Sequence, residues 1–258
     1  MRLMKRILSA AAVLALSASL LVGCSSGTAS SVPVSASSAA ESTVSSVEET
    51  ASSAVDENEA AAAQLLNDLT GSYQELWPVI LADEYKQTWL DDCTALVGED
   101  NAEAAFEKLS SMVTGDVYGE DAVKAYANGG GAYFCGFTNS LAILTFDGET
   151  STISGTDKDG NVLFSHTYHY IGMEPVRGLY EFQSDDADSG EFTYFFLAPV
   201  TSAETYHIEF RYGSDAEALS QYDTGEYAYW LASGISTDCD QTMIDNCIEL
   251  FCTENLAG

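Results

Sequence analysis

Apolar and polar positions change their period three times along this chain. From residue 61 to 128 apolar residues recur at helical spacing. "AAAQLLNDL" (61–69) opens the stretch, and in "YQELWPVIL" (73–81) Leu76, Val79 and Ile80 share a helical face, with Pro78 marking a break or a first turn. The clearest amphipathic helix spans 101–113, where Ala105, Phe106, Leu109 and Met112 share a face and Glu107 and Lys108 lie off it. A shorter helix follows over 119–126. After "NGGG" (128–131) the period falls to two, predicting strands within 132–137, 141–148, 149–155, 161–172, 178–182, 191–199 and 205–213. Helix returns at 215–222, capped by Asp215, and runs through the aromatic-rich "GEYAYWLASGI" (225–235) to "DQTMIDNCIELFC" (240–252). Helices, a meander and helices again predict an α+β domain. Its antiparallel sheet closes into a small β-barrel with N-terminal and C-terminal helices.

The turns between the strands are acidic, which raises the question of calcium. "DKDG" (157–160) would need an oxygen ligand at Gly155 and a closing Glu at His166 to form an EF-type loop, and it has neither. It and "DADSG" (186–190) read as solvated hairpin connections.

Ahead of the domain the pattern is different again. Arg2, Lys5 and Arg6 precede an apolar run from Ile7 to Val22 that is short for a membrane span, and "LVGC" closes it at Cys24. Residues 1–23 read as a signal peptide, and the "LVGC" ending resembles the lipobox of bacterial lipoproteins. That resemblance implies a lipid on Cys24, which anchors the protein to the cell membrane on its extracellular face. Residues 24–60 are rich in Ser and Ala and bury too little apolar surface to offset their ordering entropy, so they read as a disordered tether. Residues 61–258 have the length and aromatic content of one domain.

Charge narrows the partners. The chain carries 40 acidic residues against nine basic, a net charge of −31. Such a field argues against nucleic acid and against resting on anionic lipid, and it suits the attraction of cations. Beyond Cys24 there are five cysteines, an odd number, with no C-x-x-C pair and no readable connectivity.

Only three histidines occur: His166, His169 and His207. On a strand, His207 and Glu209 share a face with Thr205, opposite Tyr206, Ile208 and Phe210. The mixed-polarity face suggests a lumen or mouth, and the apolar face would lie under covering helices. Imidazole beside carboxylate suits zinc, although the spacing alone fits a hydrogen-bonded His–Glu pair without metal at least as well. His166 and His169, three apart, point to opposite faces, so at most one joins His207.

The stretches "GLYEFQSDDADSGEFTYFFLAP", "TYHIEFRYGSDAEAL" and "YAYWLASGI" resemble the ZinT (YodA-like) family of exported zinc- and cadmium-binding proteins. "LTGSYQELWPVIL" (69–81) is similar to that family's early helix, with Tyr73 where a tryptophan is usual. The likeness covers most of 64–256 and is strongest over 178–232. It implies a lipocalin-like (calycin) barrel with added helices and a metal held by three histidines. His207 matches the second of these; the first falls on Thr205 and the third on Phe195.

The resemblance implies a lipid-anchored protein that captures Zn²⁺ or another divalent metal at the cell surface, for storage or delivery to a metal importer. Its site would draw on His207 and Glu209 with His166 or His169. The alternative is a barrel that has lost the metal and binds a small apolar ligand or a surface protein; Phe192, Tyr194, Phe195, Phe196, Tyr206 and Tyr212 would line it. No G-x-S-x-G, H-E-x-x-H or phosphate loop occurs, so no enzyme is expected.

Overall fold

The computed structural model describes residues 57–113, 133–199 and 207–256. The chain divides into two units, Met1–Thr43 and Val44–Gly258, and every described residue lies in the second. The signal segment, Cys24, the helix expected at 119–126, Thr205 and Tyr206 lie outside the described residues. No described helix is long and apolar enough to cross a membrane.

Among the described residues eight strands form one closed antiparallel barrel in sequence order. They are β1 (Gly71–Glu75), β2 (Ile143–Asp147), β3 (Thr152–Thr156), β4 (Val162–Met173), β5 (Tyr180–Ser184), β6 (Tyr194–Leu197), β7 (His207–Gly213) and β8 (Ala232–Ser236). This is the expected α+β, lipocalin-like architecture. Closure removes both sheet edges, leaving no unpaired row of backbone donors.

Helix α1 (57–68) begins inside the segment assigned to the tether, so residues 57–60 are ordered helix. Its apolar residues Ala62, Leu65 and Leu66 join the cluster that fills the barrel. It lies so close to the β2–β3 turn that a methyl group on Gly148 would come within 2.5 Å of Asn67 Cα. Helices α2 (Leu76–Ile80), α3 (Lys86–Val97), α4 (Glu99–Ser111) and α6 (Gln241–Leu256) form a second layer against the outside of β8. The short α5 (Ala216–Leu219) is capped by Asp215, whose Oδ1 accepts from Ala218 N at 3.1 Å.

Three expectations need correction. Residues 71–75, expected as helix, are β1: Tyr73 pairs with Ser236 and Leu144, and Pro78 sits in the first turn of the short α2 that follows. Residues 232–236, expected among helices, are β8, buried along nearly all its length. Covered by the lumen on one face and helices on the other, β8 shows no alternation for a period-two search to detect. Of residues 132–137, expected as a strand, the described 133–137 contribute a bridge from Phe134 to Trp230 outside the barrel order and no named strand.

The hairpins follow the turn chemistry. Asp157 Oδ1 accepts from Asp159 N and Asn161 N at 2.9 and 2.8 Å, and Gly160 takes φ +81°, so this acidic turn is bonded to itself.

Candidate functional site

β7 carries the residues that matter, and its orientation is the reverse of the sequence expectation. Ile208, Phe210 and Tyr212 point into the barrel and belong to its core. His207 and Glu209 point outward, where His207 pairs with Ile235 and Glu209 with Ser233 of β8. The reason is volume. An eight-stranded barrel is just wide enough to be filled by side chains, and here rings fill it. Phe195 and Phe210 are fully buried, and Phe195 lies 5.3 Å from Tyr212 and 5.4 Å from Tyr168 between ring centroids. The polar alternates of β7 therefore face the partly open helical layer.

On that outer face a crevice of about 40 Å³ runs between β7, α2 and α6. His207, Glu209 and Ser233 form its floor, Trp77 and Phe251 its walls, and Cys247 and Glu254 of α6 its far side. The volume holds a water or a bare ion. Half-buried His207 has its pKa pushed down by burial, so the imidazole stays neutral. Glu209 keeps an open edge to solvent, yet surrounding protein raises its carboxyl pKa; Arg177 opposes the shift and Glu254 adds to it. Glu254, exposed on the last turn of α6, is raised by desolvation too. One neutral nitrogen and two mutually repelling carboxylates thus face one small space.

A carboxyl pKa raised in the folded state means that ionisation works against the fold. Stability falls as pH rises through the ordinary value of 4.5 toward the folded value. Glu209→Gln is therefore expected to raise the melting midpoint at pH 7. The gain should shrink to nothing below about pH 4, where both states are protonated. Thermal melts at the two pH values check it.

The other two histidines do not reach this crevice. Both lie on β4, three strands from β7 in the barrel order. His166 Nδ1 meets Asp186 Oδ2 at 2.7 Å and stacks near Phe164, while exposed His169 Nδ1 meets Asp185 Oδ1 at 2.6 Å. Of the four expected metal ligands, the structure brings together His207 and Glu209 and leaves His166 and His169 elsewhere. Phe195, at the family's third histidine position, is inside the lumen. Of the rings that the apolar-ligand alternative would set around a pocket, Phe192 and Phe195 lie 5.6 and 5.3 Å from Tyr212 between ring centroids.

Glu254 was missed in the sequence, although a signal exists. Cys247, Leu250 or Phe251, and Glu254 recur at helical spacing, so a carboxylate stands where the apolar stripe of α6 would carry a hydrophobe.

Among the described residues no three His, Cys, Asp or Glu side chains are gathered closely enough to hold a metal ion. A zinc cage needs three or four nitrogen, oxygen or sulfur donors converging at about 2.0–2.3 Å, so a preformed zinc cage does not fit these residues.

No family model and no curated protein matches the chain. Among solved structures it is similar to the Zn(II)-bound ZinT-like domain of Streptococcus pneumoniae AdcA, at 17% identity and a TM-score of 0.43, covering 75% of this chain and 90% of that one. It is also similar to Zn(II)-bound AdcA from the same organism, at 15% identity and a TM-score of 0.42. That match covers 73% of this chain and 35% of the other. At these values neither neighbour's metal transfers to this chain, and the barrel rests on its own strand pairings.

Proposed function

We propose that this chain is an exported, lipid-anchored binding protein, not an enzyme. Its cargo is a divalent cation, zinc first, taken into the crevice between β7 and α6 for capture at the cell surface or delivery to an importer. The observation that carries this reading is that His207, Glu209 and Glu254 all line one ion-sized crevice, although they do not yet form a closed ligand set. His207 supplies the nitrogen. Glu209 supplies an oxygen, and Glu254, exposed on a helix end, rotates in as the second carboxylate. A cation relieves the repulsion between the two carboxylates, and the net charge of −31 concentrates cations near the surface. The site assembles on binding, which suits cargo that must be released.

Calorimetric titration of the full chain in detergent micelles with Zn²⁺, beside a weak competing chelator, tests this. One-to-one binding weakened at least about tenfold by His207→Ala supports it. Heat that is absent, or unchanged by the substitution, overturns it. Binding should also fall in acid. Protonation of Glu209, whose carboxyl burial pushes up, and of His207, whose imidazole burial pushes down, removes the donors, so affinity present at pH 7 falls as the solution is acidified.

A further inference from the structure

Two thiols outside the crevice stand side by side in the helical layer. Cys93 lies on α3 and Cys252 on α6; both are fully buried, and their Sγ atoms are 3.9 Å apart. The helices are in register around them. Trp89, one turn before Cys93, meets Phe251, the neighbour of Cys252, edge-on with ring centroids 6.0 Å apart. Cys135, by comparison, directs its thiol at Tyr133 O at 3.6 Å, and Cys239 is only half-buried. A disulfide needs about 2.05 Å between sulfurs. Rotating two side chains on helices already docked closes much of the remaining gap without changing the fold.

We propose that Cys93 and Cys252 are a disulfide-forming pair that ties the C-terminal helix α6 to α3. The proposal rests on export, which places the chain where disulfides persist, and is independent of the metal reading. The co-reactant is the disulfide of an extracytoplasmic thiol–disulfide oxidoreductase. One cysteine, as thiolate, attacks a sulfur of that disulfide; the second cysteine then displaces it. The two hydrogens of the cysteine thiols end on the oxidoreductase, which leaves as a dithiol.

Burial pushes the pKa of both thiols up, so the closed domain holds little thiolate. The exchange therefore occurs while α6 is docking, and the finished bond is shut away from reductant. The link spans Cys93 to Cys252, enclosing seven of the eight described strands. A loop that long removes much entropy from the unfolded chain, raising the melting midpoint by about 10 °C.

The test is to reduce and unfold the full chain, then refold it in detergent micelles with oxidised and reduced glutathione. Remaining thiols are alkylated under denaturing conditions, and the digest is mapped by mass. The expected result is one linked peptide pair containing Cys93 and Cys252, lighter by two hydrogens. The link should resist added glutathione until the domain is unfolded. Cys252→Ser should lower the midpoint by about 10 °C, while Cys239→Ser leaves link and midpoint in place. Full alkylation of both cysteines in the refolded wild type, or pairing of either with another cysteine, overturns the proposal. The wild-type map decides even where Cys252→Ser fails to fold.

Discussion

Arg211→Ala is expected to destabilise the domain by at least about 4 kcal/mol, a large share of the 5–15 kcal/mol typical of a whole domain. Arg211 is fully buried on the outer face of β7. Its guanidinium donates to the carbonyl oxygens of Leu219 and Tyr227, and to Gln221 O at 3.2 and 3.3 Å, while lying 4.3 Å from the Tyr222 ring centroid. One planar cation thereby satisfies three carbonyls in the segment that connects β7 to β8. Truncation leaves the Leu219 and Tyr227 acceptors buried, at about 1–3 kcal/mol each, and opens a cavity. Arg211→Lys should recover only part of the loss, because an ammonium lacks the fork that spans three acceptors. Urea unfolding checks both: the midpoint falls while the slope stays constant.

Phe195→Ala should cost about 3–5 kcal/mol, the range for a fully buried aromatic residue whose neighbours cannot collapse into the gap. Its ring lies among Phe164, Tyr168, Phe210 and Tyr212, at centroid distances of 5.3–6.4 Å, and these side chains are held by strands of a closed barrel. Phe195→His is the more informative substitution, since a histidine is what the ZinT resemblance would place there. The expected outcome is a loss of about 2–4 kcal/mol from burying an imidazole among rings, with no gain in zinc affinity, because His207 points to the other side of the sheet. Melting and zinc titration of the same variant check both halves. Tighter zinc binding would show that β6 and β7 present these positions to one site, contrary to the observed orientation.

That orientation shows where sequence reasoning stops. Alternation over "TYHIEFRYG" separates His207 and Glu209 from Ile208 and Phe210 correctly, because a pleated strand dictates it. It cannot say which set faces the lumen. The rings contributed by β4, β6 and β7 decide that, since together they fill the interior. The two strands missed, β1 and β8, close the barrel by pairing with each other. β1 is five residues long and runs directly into α2, and β8 is covered on both faces, so neither carries a periodic signature of its own.

Much was legible from the chain itself. Local periodicity and turn chemistry determined the class, with helices flanking an antiparallel meander, the self-bonded turn at Asp157, the cap at Asp215 and the amphipathic helix that became α4. These features depend on residues a few positions apart, where propensity and hydrogen bonding act directly. Tertiary structure decided what depends on distant partners. It placed Glu254 of the last helix opposite His207 and Glu209, kept His166 and His169 with their own aspartates, and brought Cys252 to Cys93 across 159 positions. Such meetings are set by how the barrel closes and how helices dock on it, and that is a property of the packed whole.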